Sequence, residues 1–480
     1  MNEVKKNKDK EKSTDEGAYK IPSTLNTISY GSAGFWNGLA YGVFNAYIFF
    51  FYEVVVGLDT LLIFLAMLIF TLWDAVNDPL IGHLTDRITK FTRKYGKRFI
   101  WIIIGILPAN FVLALVFMPP AGDAATNPMP FFGWIIFTTC LFDSLTTLCF
   151  VNADALFPDK FRTGPARRKA RGWGTPLSMM ALPVANIVPP ILLGLFGGIN
   201  NQVAYISMVW IIIGTIAPVS ILCLFGMKEN KELIDRYYIS EKKRQSFIEA
   251  LKSTLKQKSF VYYVIIFFGF MIVTGSMTAS IPYAANFVLV SDLPTELDMI
   301  LLFASFLTGA LVSVPFWTWF AKKNNNNKQT AVIGGVLLVI GCFLTTFYIG
   351  VIDSMIYMFI LGFTMGNLWV LTTIYFSDVL DERVVLTRSD VRGATVGVVA
   401  FLSRLSRGAQ IAIFTFIHIL TGFVEGATSQ SAPAQLGIRF HMSVIPAIIL
   451  LICTIIFWQK YPLTPEKTLE IRKQLKEFGF

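Results

Sequence analysis

The sequence predicts an all-α membrane protein with about twelve transmembrane helices in two six-helix halves. Apolar residues fill 54% of the 480 positions, charged residues only 15%, and the mean hydropathy is +0.59. Soluble domains carry about 25% charged residues. Runs of about 20 mostly apolar residues, the length that crosses ~30 Å of hydrocarbon, recur along the chain. One long charged stretch, at 228–258, separates six of these runs from the other six.

The apolar runs must form helices, because every backbone polar group has to be satisfied inside lipid and no series of short alternating strands is present. We expect the spans near 27–52, 60–82, 99–118, 131–157, 173–197, 203–227, 260–290, 299–321, 330–350, 354–378, 394–424 and 436–459. The stretch between the halves carries nine Lys or Arg against five Asp or Glu, which is typical of a cytoplasmic linker. The chain therefore divides into a disordered polar tail at 1–25, a six-helix bundle at 26–227, the linker at 228–258, a second six-helix bundle at 259–460 and an amphipathic tail at 461–480.

The loops at one end of the spans are basic, and the loops at the other end are mostly acidic. Basic residues concentrate in 87–98, 160–171 and 322–328, whereas the opposite loops contain residues such as Glu53 and Glu425. We call these the basic end and the acidic end. The bias predicts a plasma-membrane protein with its basic end and both termini in the cytoplasm. The formal net charge of +10 therefore reflects topology, and nucleic-acid binding is a poor interpretation of it.

The two halves show weak internal similarity of the kind left by duplication. "DPLIGHLTDR" at 78–87 and "VPFWTWFAKK" at 314–323 share their spacing, with an offset of 236. After the fourth and tenth spans, an acid and a basic turn precede Arg171-Gly172 and Arg392-Gly393, which we expect to open the next helices. Two parallel repeats about an axis normal to the membrane predict the major facilitator architecture, with a solute path between the halves.

Asp74 and Asp78 stand within a hydrophobic run, in "LWDAVNDPL" of the second span. Four residues amount to about 400° of helix rotation, so both carboxylates share a face, and Asp74 lies about 18 Å from Asp86, near the midplane. An ionised carboxylate there costs about 2.5–3.5 kcal/mol on insertion scales. The two carboxylates and the Asn77 amide oxygen are hard ligands suited to Na⁺ or H₃O⁺, and protonation can replace the metal. The alternatives are that the pair neutralises a buried arginine or caps a kink before Pro79.

Arg404 and Arg407 are the candidate basic partners in the eleventh span. Arg404 lies twelve residues beyond Arg392, which places it about as deep as Asp74, with Arg407 one turn further. A buried arginine there can bridge to Asp74 or Asp78 across the halves, or bind an anionic solute. A bridge that a cation or solute breaks would act as a switch. Arg407 can alternatively snorkel or face a polar cavity wall.

Other polar and aromatic residues of the spans are weaker candidates. Asp143 shares a face of the fourth span with Thr147 and can approach the second span. Asp143 and Asp154 are candidates for coupling or substrate contact, although Asp154 lies near the inner end and can simply face water. The candidates for lining a cavity are Trp36, Tyr41, Asn45 and Trp369. Because the chain has 43 Phe, packing or lipid contact is the default role of its aromatic residues.

Charged residues of the basic end are candidates for a cytoplasmic gate. They are Asp86, Arg87, Asp159, Arg171, Asp381 and Arg392. Their charge networks would hold the cytoplasmic side shut in the outward-open state. Alternatively, the basic residues only determine topology, and both roles are compatible.

The motifs "WDAVNDP" and "YGKRFIWIIIG" resemble those of the glycoside-pentoside-hexuronide:cation symporters, the melibiose carrier family of the major facilitator superfamily. Weaker similarity extends from about residue 29 to 425. The resemblance implies that Asp74, Asn77 and Asp78 bind the coupling Na⁺, Li⁺ or H⁺. It also implies that Thr147, at the position of a fourth-span threonine, is a further ligand. The family's eleventh-span lysine, near the cation site, falls on Arg404.

The positions that hold sugar in the melibiose carriers carry different residues in this chain. The first-span aspartate falls on Gly38, the fourth-span aspartate on Phe150, its nearby tryptophan on Asp154, and the fifth-span arginine on Gly174 or Thr175. The residues of the family's cation site are therefore present in this chain, and those of its known sugar site are not. Another sugar, a sugar acid or a similar small organic solute fits the basic eleventh span. Lysolipid carriers of related fold are similar at the cation motif, so an amphiphilic substrate stays open.

We predict a symporter, not an enzyme, that couples solute movement to Na⁺ or H⁺ by alternating access and needs no cofactor. At −100 mV, one inward positive charge is worth about 2.3 kcal/mol. No phosphate-binding glycine loop is evident, and His83, His418 and His441 are too scattered in sequence for a metal cluster. The expected partners are a small solute, a monovalent cation and the lipid bilayer, and we expect a monomer to function. A membrane sensor that binds without transporting remains an alternative.

Overall fold

The computed structural model describes residues 22–86, 92–239, 247–388 and 392–478. In this part of the chain, twelve helices are long and apolar enough to cross a membrane, which confirms the predicted number. We number them α1 Thr24–Phe50, α2 Thr60–Thr85, α3 Phe99–Val116, α4 Pro128–Lys160, α5 Gly164–Leu195, α6 Gln202–Met227, α7 Lys258–Phe287, α8 Thr295–Asn324, α9 Asn327–Leu344, α10 Val351–Thr387, α11 Arg392–Thr421 and α12 Ala432–Lys460. A π-helical segment, Phe51–Val55, extends α1, and a second one, Phe440–Val444, lies within α12.

The start of α5 corrects one detail of the predicted repeat. The prediction that Arg171-Gly172 opens the fifth helix is wrong, because α5 begins at Gly164. The Thr163 side chain caps this helix by accepting from the Ala166 N–H at 3.4 Å, and Pro165 occupies its first turn. Helical backbone therefore continues through the basic segment, whereas Arg392 does open α11.

The packing of the helices repeats from one half to the other. In the amino-terminal half, α1 packs on α5 and α6, α4 packs on α2 and α3, and α3 packs on α6. The helices six places later along the chain make the same pairs in the carboxy-terminal half. The halves meet through three helix pairs, which are α1 with α7, α2 with α11, and α5 with α8. Replacing each helix by its counterpart in the other half gives the same set of pairs. The arrangement is the two-bundle major facilitator fold that the parallel repeat predicts.

Small residues bring α1 and α5 close together. A Cβ atom at Gly34, Gly38 or Gly42 would lie 1.9–2.6 Å from side-chain atoms of α5. Ser178, Ala181 and Ala185 provide those atoms in turn. The glycines are spaced four residues apart, so they form one stripe along α1, a pattern typical of tightly packed membrane helices. This seam fixes the first span inside its own bundle.

A carboxy-terminal helix, Pro465–Glu477, packs on the basic end of α10. Its Arg472 lies 3.4 Å from Asp378 and its Lys467 lies 3.5 Å from Glu382. At the same end, the Lys169 ammonium donates to the backbone of residue 22, just before α1. The start of α1 and the carboxy-terminal helix therefore lie at one end of the bundle, as an even number of spans requires.

Candidate functional site

The middle of the helix bundle holds a set of charged residues that joins the two halves. Asp74 and Asp78 come from α2, Asp143 from α4, and Arg404 and Arg407 from α11. We call these five residues the charge network. The helical spacing of four places Asp74 and Asp78 on one face of α2, where α11 packs, so the predicted geometry is the one observed.

Arg404 binds both carboxylates of α2 at once. Its Nε lies 2.8 Å from Asp74 Oδ1, and its Nη2 lies 2.5 Å from Asp78 Oδ2. Arg407 adds a second ion pair, because its Nη1 lies 3.0 Å from Asp74 Oδ2. The planar guanidinium suits this arrangement because its donors diverge at fixed angles. The predicted bridge from Arg404 to α2 is therefore present in the structure, and Arg407 forms one as well.

The fourth span supplies the remaining contacts to α2. The Thr147 hydroxyl donates to Asp78 Oδ1 at 3.1 Å, and the Asn77 amide donates to Asp143 Oδ2 at 2.9 Å. The Tyr41 hydroxyl of α1 lies 3.3 Å from Asp143 Oδ1. Its other neighbour is the Thr146 hydroxyl at 2.7 Å. Sequence reasoning missed Thr146, although its position next to Thr147 and three residues after Asp143 was a usable signal.

The residues of the site differ in their access to solvent. Asp74, Asn77, Asp143 and Thr147 are buried, with at most 6% of their surface exposed. The Asp78 side chain keeps 26% of its surface exposed. Asp78 is therefore the most exposed carboxylate of the charge network.

The oxygen atoms of the site form a donor set suited to a hard monovalent cation. Carboxylate oxygens of Asp74 and Asp78, the Thr147 hydroxyl and the Asn77 amide oxygen are all of the type that Na⁺ prefers. Thr147 and Asp78 already lie within hydrogen-bond distance of each other. Arg404 and Arg407 contact three of the four carboxylate oxygens of Asp74 and Asp78, so a cation at these residues would have to share those atoms with the two arginines.

The predicted cavity-lining residues fall in different environments. Trp36 is fully buried inside the first bundle, donates to Asn110 Oδ1 at 2.8 Å and packs on Phe150, and its role in lining a cavity stays a prediction. Tyr41 is half-buried beside the charge network, and Asn45 is exposed. The side chain of Trp369 lies outside the described residues. Asp154 is exposed near the basic end of α4.

Two of the predicted gate residues make side-chain contacts at the basic end. Asp86 pairs with Lys97 at 3.3 Å and with Arg98, which links the basic ends of α2 and α3. Asp159 accepts from the Tyr237 hydroxyl of the linker helix Lys231–Ile239 at 3.2 Å. Burial raises the pKa of Tyr237, so this hydroxyl keeps its proton.

The other gate candidates lie on α5, α10 and α11 or follow α2 in the sequence. Arg171 is exposed, with its guanidinium 4.5 Å from the Phe157 ring, and Asp381 is half-buried on α10. Arg87 and the side chain of Arg392 lie outside the described residues. A gate in the outward-open state stays a prediction.

Comparison with known proteins identifies the family. The family described as "MFS/sugar transport protein" matches residues 29–465. The chain belongs to this family. The match confirms the predicted resemblance to major facilitator symporters, and the family consists of transporters rather than enzymes.

Several curated members of the family resemble the chain over most of its length. The sodium-dependent lysophosphatidylcholine symporter 1-A of Danio rerio is 22% identical and covers 84% of this chain and 79% of its own. The inner membrane symporter YicJ of Escherichia coli is 21% identical, and the match covers 95% of this chain and 96% of YicJ. The lactose permease of Lactobacillus delbrueckii is 23% identical, and the match covers 95% of this chain and 73% of the permease.

Solved structures agree on the fold. A bacterial homologue of the human lysosomal transporter Spinster, in an inward-facing and unoccupied conformation, superimposes with a TM-score of 0.64 and 14% identity. The match covers 93% of this chain and 97% of that one. The peptide transporter POT in complex with sulfate gives a TM-score of 0.58 at 14% identity, covering 91% and 94%. This multi-pass membrane protein is therefore a symporter-family member with major facilitator architecture.

Proposed function

We propose that the chain is a cation-coupled secondary symporter that moves a small organic solute across the plasma membrane by alternating access. The observation that carries the proposal is the charge balance of the charge network. With all carboxyl groups ionised, three negative charges face two guanidinium groups, which leaves one negative charge uncompensated. A single Na⁺, Li⁺ or H⁺ neutralises it, and a low-dielectric site favours neutrality.

Competition between the cation and Arg404 provides a mechanism of coupling. Arg404 ties α11 of one half to α2 of the other through two carboxylates. A cation that binds Asp74 and Asp78 weakens this tie, so it changes the relative free energies of the states in which the halves are close or apart there. The solute then binds the state that the cation favours, and the cation and the solute are released together on the other side of the membrane.

The first experiment measures cation binding without any solute. We expect NaCl, LiCl or acidic pH to stabilise the purified protein against thermal unfolding relative to choline chloride, because a ligand that binds only the folded state raises its stability. Asp78→Asn and Asp74→Asn should each abolish the effect. Asp123→Asn, in the exposed loop before α4, is the control and should respond like the wild type. Equal stabilisation of all four proteins would reject the site.

A second candidate substrate, a lysolipid or another amphiphile, is favoured by the packing at two sugar positions of the melibiose carriers. Gly38 faces Ala181 with no room for a larger side chain, since a Cβ atom there would lie 2.6 Å from the alanine methyl. Phe150 stacks on the buried Trp36, with ring centroids 5.7 Å apart. The lysophosphatidylcholine symporters also match most of the chain.

Uptake into proteoliposomes under an imposed Na⁺ or H⁺ gradient distinguishes the substrates. The panel contains lactose, a hexuronate and lysophosphatidylcholine, each with wild type and Asp78→Asn. Gradient-dependent uptake of one class by the wild type alone assigns the substrate. Cation binding with no uptake of any compound would instead favour the sensor alternative.

A further inference from the structure

A second buried set of titratable residues lies at the acidic end, away from the charge network. The Glu53 carboxyl group is fully buried and contacts three hydrogen-bonding groups. Tyr283 Oη lies 2.5 Å away, Thr60 Oγ1 2.6 Å and His418 Nδ1 2.9 Å. We call the set consisting of Glu53, Thr60, Tyr283, His418, Glu425 and His441 the Glu53 cluster. Sequence reasoning treated its acids as loop residues and its histidines as isolated.

The Glu53 cluster closes the acidic end across the two halves. Glu53 and Thr60 belong to the amino-terminal half, and the other four members belong to the carboxy-terminal half. The Glu53 carbonyl accepts from the Gly426 N–H at 3.1 Å. Gly57 and Gly426 touch through their backbones, with φ angles of 73° and 68° that only glycine adopts readily.

Two unusual backbone segments position members of the cluster. The π-helical segment Phe51–Val55 contains Glu53, and the segment Phe440–Val444 contains His441. Short π segments within α-helices are rare and occur frequently at functional sites. Both described π segments therefore converge on one place, from opposite halves of the molecule.

The hydrogen-bond geometry requires an extra proton in the cluster. The Thr60 hydroxyl has one hydrogen, yet its oxygen lies 2.6 Å from both Glu53 Oε1 and Glu425 Oε1. It can donate to one carboxylate only, so the other carboxyl group must be protonated and donate to it. The Thr60 N–H also donates to Glu425 Oε1, at 3.1 Å. This second donor favours the anion on Glu425 and the proton on Glu53.

Each of the two histidines has one ring nitrogen in contact with the cluster and one without a partner in the described part of the chain. His418 Nδ1 contacts Glu53 and His441 Nδ1 contacts Ser280 Oγ at 2.8 Å. Each Nε2 is buried without a hydrogen-bond partner among the described residues. A charged imidazolium would bury an unpaired N–H at that atom, which is costly. The extra proton therefore resides on the carboxyl pair, next to two unpartnered nitrogen lone pairs.

We propose that the Glu53 cluster is a proton-binding site that holds the acidic end closed and releases its proton when that end opens. Without the proton, Glu53 and Glu425 become like charges on either side of one hydroxyl, and their repulsion separates the halves. The groups that face Glu53 are Tyr283 from α7, His418 from α11, Glu425 from the following loop and, behind His418, His441 from α12. The closed state binds more protons than the open one, so low pH favours closure and high pH favours opening.

Hydrogen–deuterium exchange on the full-length protein in lipid nanodiscs tests the proposal without solute or Na⁺. The measured quantity is the protection of amides in 422–428, divided by the intrinsic chemical rate at each pH. We expect wild-type protection to fall as the pH rises from about 5 to about 9, by up to about tenfold per pH unit, the limit for one released proton. Wild-type protection that does not change with pH would overturn the proposal.

Matched variants separate the proton from other effects of pH. Glu53→Gln keeps the shape and a donor for Thr60 but cannot ionise, so its protection should stay high and independent of pH. Glu425→Gln should also lose the pH dependence, since one carboxylate alone has no like charge to repel. The control is Glu296→Gln, because Glu296 also joins the halves at this end, by accepting from the Ile199 N–H at 2.7 Å. It should follow the wild type, and a wild-type slope in Glu53→Gln would contradict the assignment.

Infrared difference spectroscopy between low and high pH provides a readout that a purely structural role does not change. The wild type and Glu296→Gln should show the carbonyl band of a protonated carboxylic acid that disappears on opening. Glu53→Gln should lack that component. A complete band in Glu53→Gln would rule out Glu53 as the proton carrier. The test uses no substrate, Na⁺ or Li⁺, and the comparison with Glu53→Gln separates a proton on Glu53 from one on the charge network, so its outcome is distinguishable from that of the proposed symport.

Discussion

Arg404 makes the contacts that distinguish this site from an ordinary buried ion pair. One guanidinium bridges Asp74 and Asp78, whose side-chain exposures are 4% and 26%, so removing it leaves two poorly hydrated carboxylates without their main partner. Breaking a buried pair in this way costs roughly 3–5 kcal/mol. The same residue competes with the cation for carboxylate oxygens, so its removal also frees ligands.

Substitution of Arg404 should therefore affect stability and cation affinity in opposite directions. We expect Arg404→Ala to lower the melting temperature in choline chloride and to strengthen Na⁺ binding, as measured by the Na⁺ concentration that gives half of the stabilisation. Arg404→Lys should be intermediate, because an ammonium is a point charge and cannot span both carboxylates. Weaker Na⁺ binding by Arg404→Ala would contradict direct competition.

The hydroxyl of Thr147 is the second residue-scale determinant. Thr147→Val removes the hydrogen bond to Asp78 without a large change in volume. In the proposed site the valine also lacks the hydroxyl oxygen that would ligate Na⁺, so we expect Na⁺ binding about tenfold weaker, a loss of about 1.4 kcal/mol. Thr139→Val is the control, because the Thr139 hydroxyl donates to carbonyl groups of its own helix. Equal Na⁺ affinities in the two variants would exclude Thr147 as a ligand.

At the scale of the helices, packing rather than chemistry explains the glycine stripe of α1. The stripe includes Gly38, the position that the resemblance aligns with a sugar-binding aspartate of the melibiose carriers, and close helix contact leaves no room for a polar side chain there. This contact keeps α1 and α5 together as a rigid pair within the first bundle. Rigid bundles are what alternating access by rocking halves requires.

A pair of identical substitutions tests the importance of this seam. Gly38→Ala forces a shift of α1 against α5, and overpacking of this kind typically costs about 1–3 kcal/mol. Gly214→Ala, on α6, meets no atom within 4 Å and should leave the stability unchanged or slightly higher. Thermal unfolding of both variants in the same lipid provides the comparison. A Gly38→Ala protein as stable as Gly214→Ala would show that the two helices can separate freely.

At the scale of the whole molecule, the described polar contacts between the halves lie at the midplane and at the acidic end. The charge network joins α2 to α11, and the Glu53 cluster joins α1 and α2 to the carboxy-terminal half. A third contact, between Asn200 and Asn286 at 3.2 Å, links the α5–α6 loop to α7. These contacts define a state in which the acidic end is closed.

Locking that state should stop transport. With Cys at positions 200 and 286, a short bifunctional thiol reagent that dithiothreitol can cleave should hold the acidic end closed. Uptake into proteoliposomes should then fall to the background level and return after reduction. Each single-cysteine variant is a control, since four of the five native cysteines are buried and Cys140 is half-buried. Normal uptake by the cross-linked double variant would contradict alternating access at this interface.

The sequence by itself determined the class of protein, the number of spans, the two halves and the principal residues of the charge network. Those features follow from local rules: the length of apolar runs, the cost of carboxylates in lipid, and the four-residue spacing of Asp74 and Asp78 on one helix face. The sequence also suggested, as one of two alternatives, that Arg404 pairs with Asp74 or Asp78, because the depth of a residue in the membrane can be counted along its helix.

Only the tertiary structure decided which side chains meet across helices. It placed Trp36 inside a bundle, brought Asp143 to Asn77, and assembled the Glu53 cluster from residues up to 388 positions apart, from Glu53 to His441. Rotation about each helix axis and the contact between the two halves have no counterpart in the local pattern. They are fixed by packing over the whole chain, so residues such as Glu53 and His418 show their role only after the halves come together.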